Sequence, residues 1–468
     1  MSRLLLSVLS LCLAVWHLPS TAADGDRLIG FGTEAQFPGF GFYPGPYGGS
    51  EFDRVVTLAE GAQQRLYVFA SVRVAPNQFR ALVYRLLPDG WFDFDFGNDG
   101  FITLAPPCPE GSLTHAAIDG QQRPWLLFSG CGDFELYRLT AAGLADTSLL
   151  GSGRLSIPFN LGGDNLDLPR RMSFTADGHV AVAGIVGSAT GRRLGLALFT
   201  AQGGPVPGFG NAGRANFALP KPVDHIGAIH AMPDGRLVAS GDLWSGDDIL
   251  NRLQFVVRVQ PSGSGDIGFG NHAPGISLLN LPVATGSDPA YGGGITYDSL
   301  LERDGSLIQI GSWHNANAPH LKSEFLLVRW RPDGQPDASF GPAGHRTYGL
   351  NQGGDPNAPG YNTDHGRTLL RQGNGRYLLA GTSTNPDNRT ELALLRLRRD
   401  FSPDPSFGVG GWVTDRIEVG GTGGMQPVTQ LLRSGSLITA LTVRVANSAL
   451  VATLRGARND LLFADTFD

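Results

Sequence analysis

Six residues in two loops carry side chains suited to ligand chemistry. Trp313, His314 and His320 lie in "SWHNANAPHLKS" (312–323), and Tyr361, Asp364 and His365 in "NQGGDPNAPGYNTDHG" (351–366). Trp and Tyr rings offer an apolar face with a polar edge, a surface on which a sugar ring can pack. Imidazoles beside a carboxylate could hold a metal, or could simply face solvent. Two readings stay open: a ligand pocket built by these loops, or insertions that the fold tolerates at its surface.

Other motifs point less far. "GFGNAG" (208–213) matches the dinucleotide fingerprint, but that motif needs a strand before it and a helix after it. Here the same position recurs as "DFGNDG" and "SFGPAG", so it reads as a repeated turn. No phosphate loop, HExxH, CxxC, GxSxG elbow or EF-hand loop is present. No cofactor is therefore expected. Asp93, Asp95 and Asp99 in "DFDFGNDG" (93–100) could bind Ca²⁺, or could be the polar turn of a repeat. The recurrent aspartates Asp89, Asp119, Asp177, Asp234, Asp304 and Asp333 are expected to shape turns by bonding their own backbone.

The elements that would position these residues come from an internal repeat. A Phe-Gly marker, often following Asp, places glycines at 32, 97, 210, 270, 341 and 408, with a degenerate Leu150-Gly151 filling the gap. A second marker, a turn glycine before an apolar run, falls at 61, 120, 178, 235, 305, 375 and 435. The two markers keep phase along the chain. Each unit of about sixty residues holds four strand-like runs, and Asp-Gly between apolar runs is a hairpin signal. This predicts an all-β fold, a seven-bladed β-propeller of four-stranded antiparallel blades. The last repeat lacks a fourth strand and the first residues have one to spare, which predicts closure by pairing the N-terminal strand with the C-terminal blade. The aromatic segment 37–47 supplies that strand, or else an aromatic platform. The 66 glycines among 468 residues fit this wealth of turns.

Arg3, the apolar run Leu4–Trp16 and small residues at 20–23 read as a signal peptide over 1–23, leaving one propeller domain over 24–468. Export to an extracellular or periplasmic compartment follows. Two cysteines then remain, Cys108 and Cys131. If Asp119-Gly120 is the hairpin turn, they face each other and can form a disulfide; two separate thiols are the alternative. Formal charge is −6, without a basic run, so nucleic acid is not an expected partner. No later run is long enough to span a membrane, and a monomer is expected.

The "PDG…D.SFG..G" pattern at 332–344, with its counterparts at 87–100 and 398–411, resembles the delta-60 repeat of secreted bacterial proteins. That resemblance implies a propeller-like array in an exported protein and brings no established activity. The tail "LLFADTFD" is similar to short tails of some exported proteobacterial proteins. The long units carry their extra residues in loops on one face, where repeat proteins often bind. The expected function is a non-enzymatic binding or surface-interaction module with its ligand face on the long loops of the fifth and sixth repeats. Carbohydrate or a surface protein is the expected partner. The alternative is a hydrolase or lyase acting on polysaccharide in the central funnel.

Overall fold

The computed structural model describes residues 40–44 and 51–415, except 245, 247–251, 282–291, 316–321, 351, 353–362 and 388, together with strands at 427–431, 437–442 and 448–454. Every described sheet has four antiparallel strands. The fourth repeat shows the plan. Val223–Ala231, Leu237–Leu243, Leu253–Val259 and Ile276–Asn280 pair in sequence order. The second strand is buried along its whole length because a neighbouring sheet covers each side. First strands are different. Ser112–Ile118, Leu168–Phe174 and His365–Arg371 share one pattern, in which the second and fifth residues are buried and the rest half-buried. They touch the first strands of adjacent sheets, and so they line a central channel.

This is a β-propeller. Six blades of four consecutive strands, over residues 51–104, 112–157, 168–217, 223–280, 292–348 and 365–415, have described side chains. We number them one to six. The expectation of seven such blades is corrected to six, because the last repeat supplies only three strands. These strands, Pro427–Leu431, Leu437–Thr442 and Ser448–Leu454, form a composite sheet with Phe40–Pro44 from the other end of the chain. Phe40 pairs with Ala452 and Pro44 with Ser448. The first strand of this sheet touches the first strands of blades one and six. The proposed signal segment, His320, Tyr361 and the C-terminal tail lie outside the described residues. Among the described residues no helix is long and apolar enough to cross a membrane.

The core lies between blades. One apolar cluster joins Leu194, Leu196 and Phe209 of blade three to Ile226, Leu237 and Phe255 of blade four. Another joins Phe325 and Phe340 of blade five to Leu379 and Leu395 of blade six.

One end of the propeller carries both hairpin turns of every blade, and we call it the turn face. There the aspartate three residues before the marker Phe binds an arginine of the third strand and another just before the second strand. Asp93 meets Arg65 and Arg85, each at 2.7 Å, and Asp266 meets Arg258 at 2.7 Å and Arg236 at 3.0 Å. Asp404 likewise holds Arg396 at 2.8 Å and Arg376 at 3.0 Å. The other carboxylate oxygen of Asp266 accepts the Gly268 N–H. Arg258 also donates to Pro332 O in the next blade at 2.7 Å. Asp93 is thus a structural tie, with its oxygens committed to arginines and to the Asp95 N–H. Blade three replaces this pair by Val206 and Leu198.

Five of the six hairpin aspartates bond their turns, while in blade three the Thr175 hydroxyl accepts the His179 N–H instead. Trp91, Gln121, Arg236, Ser306 and Gln335 donate backbone N–H groups to Asp89, Asp119, Asp234, Asp304 and Asp333. Two copies sit differently from the expected alignment. In blade two Ile118 pairs with Pro124, and Gln122, with φ 63°, takes the left-handed place that Gly235 fills in blade four. Leu149 fills the buried Phe site, and Leu150, with φ 50°, adopts the left-handed backbone of Gly97 and Gly210.

The opposite end carries the loops, and we call it the loop face. Cys108 and Cys131 form a disulfide there, with Cα atoms 5.6 Å apart. They are not partners within a strand ladder, because the ladder ends at Ser112 and Ser129. The bridge joins the connection entering blade two to its second-to-third strand loop.

Candidate functional site

Each described blade's first strand carries an irregularity near its loop-face half. It falls at Val56, Thr114, Arg170, Gly227, Tyr297 and Arg367, and the first strands of blades one and four carry a second, at Asp53 and Asp224. Such bulges re-aim side chains and recur beside binding sites. Here they present polar groups to the channel. Arg171 lies across it from blade three. Its Nε donates to Gly227 O at 2.7 Å and its Nη2 to Tyr297 O at 3.4 Å, in the next two blades. Asp298 accepts from the Thr368 hydroxyl at 2.7 Å and from the Ser299 N–H at 2.8 Å. Burial pushes the Asp298 carboxyl up to about 6, against those bonds and the charge of Arg171. His115 shares this level of the channel; burial and then Arg171 push its imidazole down to about 3.

Above this floor, toward the loop face, the Arg367 guanidinium stacks on the Tyr297 ring, 3.9 Å from its centroid. His225 meets the same ring edge-on, with centroids 6.1 Å apart. Among the described residues Arg367 has no carboxylate partner. His225 lies 2.9 Å from Asp224 and 3.6 Å from Asp242. Burial lowers its pKa, but the bonds and charges of both aspartates outweigh this and raise it to about 9. Asp224, His225 and Asp242 could by type hold a metal. However, Arg252 occupies the place of a cation, with its Nη1 on both carboxylates and its guanidinium over Trp244. The Thr296 N–H binds the other oxygen of Asp242 at 2.9 Å, which ties blade four to blade five.

Four of the six sequence-predicted site residues are described, and they gather where blades five and six meet. His314 is 8% exposed, and its ring centroid lies 5.9 Å from that of His365. Ser312 Oγ is 2.8 Å from His365 Nδ1. Burial, then Arg252 and Arg367, lower His314 to about 4; burial, then Arg367 and His314, lower His365 to about 3. Both imidazoles are therefore neutral at neutral pH. His314 Nε2 and Trp313 Nε1 are buried without a hydrogen-bond partner. Asp364 is 1% exposed and serves as a loop tie: it accepts from the Leu350 N–H at 2.8 Å and from the Ser383 hydroxyl, and its own N–H binds Ser323 O.

Sequence reading did not find Tyr297, Asp298, Arg367, Arg171 or His225. A signal was present: "GITYDSLL" and "DHGRTLL" put polar residues at matching places in otherwise apolar first strands. Asp242, in "ASGDLW", likewise interrupts an apolar strand. A cleft of about 450 Å³ opens on the turn face between Asp234, Arg236, Arg258, Arg303, Asp304 and Pro332. Two of its arginines already hold Asp266.

A family model described as a domain of unknown function (DUF5122) forming a β-propeller matches residues 372–407. No curated protein matches the sequence. Among solved structures, a streptogramin B lyase is similar at 12% identity and a TM-score of 0.47, covering 89% of this chain and 97% of that one. Virginiamycin B lyase from Staphylococcus aureus is similar at 10% identity and a TM-score of 0.47, with coverage of 89% and 99%. The polysaccharide lyase Uly1 is similar at 12% identity and a TM-score of 0.46, covering 93% and 98%.

Proposed function

We propose that the chain is a non-enzymatic, exported binding module. Its ligand face is the loop-face mouth of the channel, framed by the long loops of the fifth and sixth repeats. The observation that carries this reading is the meeting of Arg367, Tyr297 and His225, drawn from three blades, at a mouth where Arg367 has no described carboxylate partner. An arginine stacked on an aromatic ring is pre-oriented and keeps its N–H donors for a ligand.

Binding fits better than catalysis because the acids nearby are engaged. Asp224 and Asp242 hold Arg252, Asp298 is bonded by Thr368, and Asp364 ties loops. The neutral imidazoles of His314 and His365 titrate far from neutrality, where general acid–base catalysis is inefficient. A glycan and small-molecule binding screen of purified residues 24–468 tests the reading. Saturable binding without change of the ligand is expected. A flat screen sinks the proposal, and cleavage of a bound polysaccharide replaces it with the hydrolase or lyase alternative.

A further inference from the structure

The charges at the channel mouth do not cancel. Arg171 is set against Asp298. Arg252 and protonated His225 are set against Asp224 and Asp242. Arg367 is left over, its planar face on Tyr297 and its donors without a described acid. Elsewhere the chain treats buried arginine differently: Arg85, Arg138, Arg258 and Arg396 each hold an aspartate within 2.8 Å. An uncompensated guanidinium in a confined, half-buried place is an anion site in waiting, because its fork matches a carboxylate in two parallel bonds. A second observation points the same way. His314, more than nine-tenths buried beside the blade that carries Arg367, has an Nε2 without a hydrogen-bond partner. Burial, then the charges of Arg252 and Arg367, keep that imidazole neutral. A neutral imidazole can present an N–H donor without adding a charge that would itself need burial.

We propose that the mouth binds a carboxylate-bearing ligand, with Arg367 as the carboxylate partner, Tyr297 as the platform that orients it, and His314 as a neutral hydrogen-bonding neighbour. This rests on the binding reading above and narrows it to one ligand chemistry. An acidic sugar unit and a small free carboxylic acid share that chemistry.

Calorimetric titration of purified residues 24–468 separates these cases with four probes: tetragalacturonate, its methyl ester, galacturonate and acetate. The acid tetramer is expected to bind about tenfold or more tightly than its ester, as a charge-assisted pair requires. Tight binding of the tetramer with weak acetate binding identifies an acidic glycan as the source. Equal binding of all three acids identifies a free carboxylate. Arg367→Gln should weaken the acid probe about tenfold, Arg367→Lys should recover part of that loss, and thermal unfolding should report whether each variant is folded. Equal affinity for acid and ester, or an unchanged affinity in a folded Arg367→Gln protein, overturns the carboxylate assignment and leaves the binding reading standing. No binding of these probes or of any ligand in the broader screen overturns both.

Discussion

The turn face and the loop face use the same residue types to opposite ends. On the turn face, Asp93, Asp146, Asp266, Asp337 and Asp404 each hold an arginine of the neighbouring strand. Arg85, Arg138 and Arg258 also donate to a carbonyl in the next blade, so charge is matched and blades are stitched together. On the loop face Arg367 lies on a ring and His314 keeps an unpartnered nitrogen. The difference teaches how to divide such a molecule. Polar groups that recur with the repeat and pair with one another hold the fold, whereas Arg367 and His314 depart from that pattern and carry the proposal made above.

The strongest way to break this division is to remove a recurring acid. Asp266→Ala leaves Arg258 buried and Arg236 nearby without their shared carboxylate. It should cost about 3–5 kcal/mol in denaturant unfolding, and a loss under about 1 kcal/mol would show that the turn-face ties are ornamental. Next in size is the covalent tie of the loop face. Reducing Cys108–Cys131, which closes a loop with a sequence separation of 23, should cost about 3 kcal/mol; an unchanged unfolding midpoint in reductant would refute it.

Blade three offers a test in the other direction. Val206→Asp alone buries a carboxylate opposite Leu198 and should cost about 1–3 kcal/mol. Adding Leu198→Arg should recover much of this, and a double-mutant cycle with no coupling would deny that the two positions form one unit.

The pH dependence sharpens the contrast more gently. His225 has a folded pKa raised to about 9, above its ordinary value near 6.5. Its contribution is therefore fully present below pH 6.5 and is lost as pH rises through 9. Unfolding midpoints measured across that window should fall in the parent and fall less in His225→Gln; parallel curves would contradict the ion cluster. The smallest effect belongs to Arg367→Gln, which should move stability by less than about 0.5 kcal/mol, because no described carboxylate depends on that guanidinium.

Much of the fold was legible because its signals repeat. The marker Phe residues are buried as Phe96, Phe209, Phe269, Phe340 and Phe407, and the turn glycines Gly178, Gly235, Gly305 and Gly375 have positive φ. Register was less legible. The turn after Ile118 keeps its shape with Gln122 in the left-handed place, so reading Gly120 as its centre shifts the ladder, even though the cysteine pairing it suggested does form. The count of blades also outran the strands, since seven marker pairs yield six blades of consecutive strands and one composite sheet. The channel mouth was largely hidden. The supposed loop insertions drew attention to His314 and His365, which do meet but stand near strand ends, whereas Tyr297 and Arg367 lie inside first strands and gain their meaning only from which blade lies beside which.

The composite sheet has a mechanical consequence. Phe40 lies opposite Ala452 and Pro44 opposite Ser448, so the chain entering the first strand and the chain leaving the last depart from the same end of the pair. A pull applied through these two ends loads that ladder as a zipper, one hydrogen bond after another, instead of shearing all of them together. Stretched between two anchors, the ring would part at this seam first, with blades one to six still folded behind it.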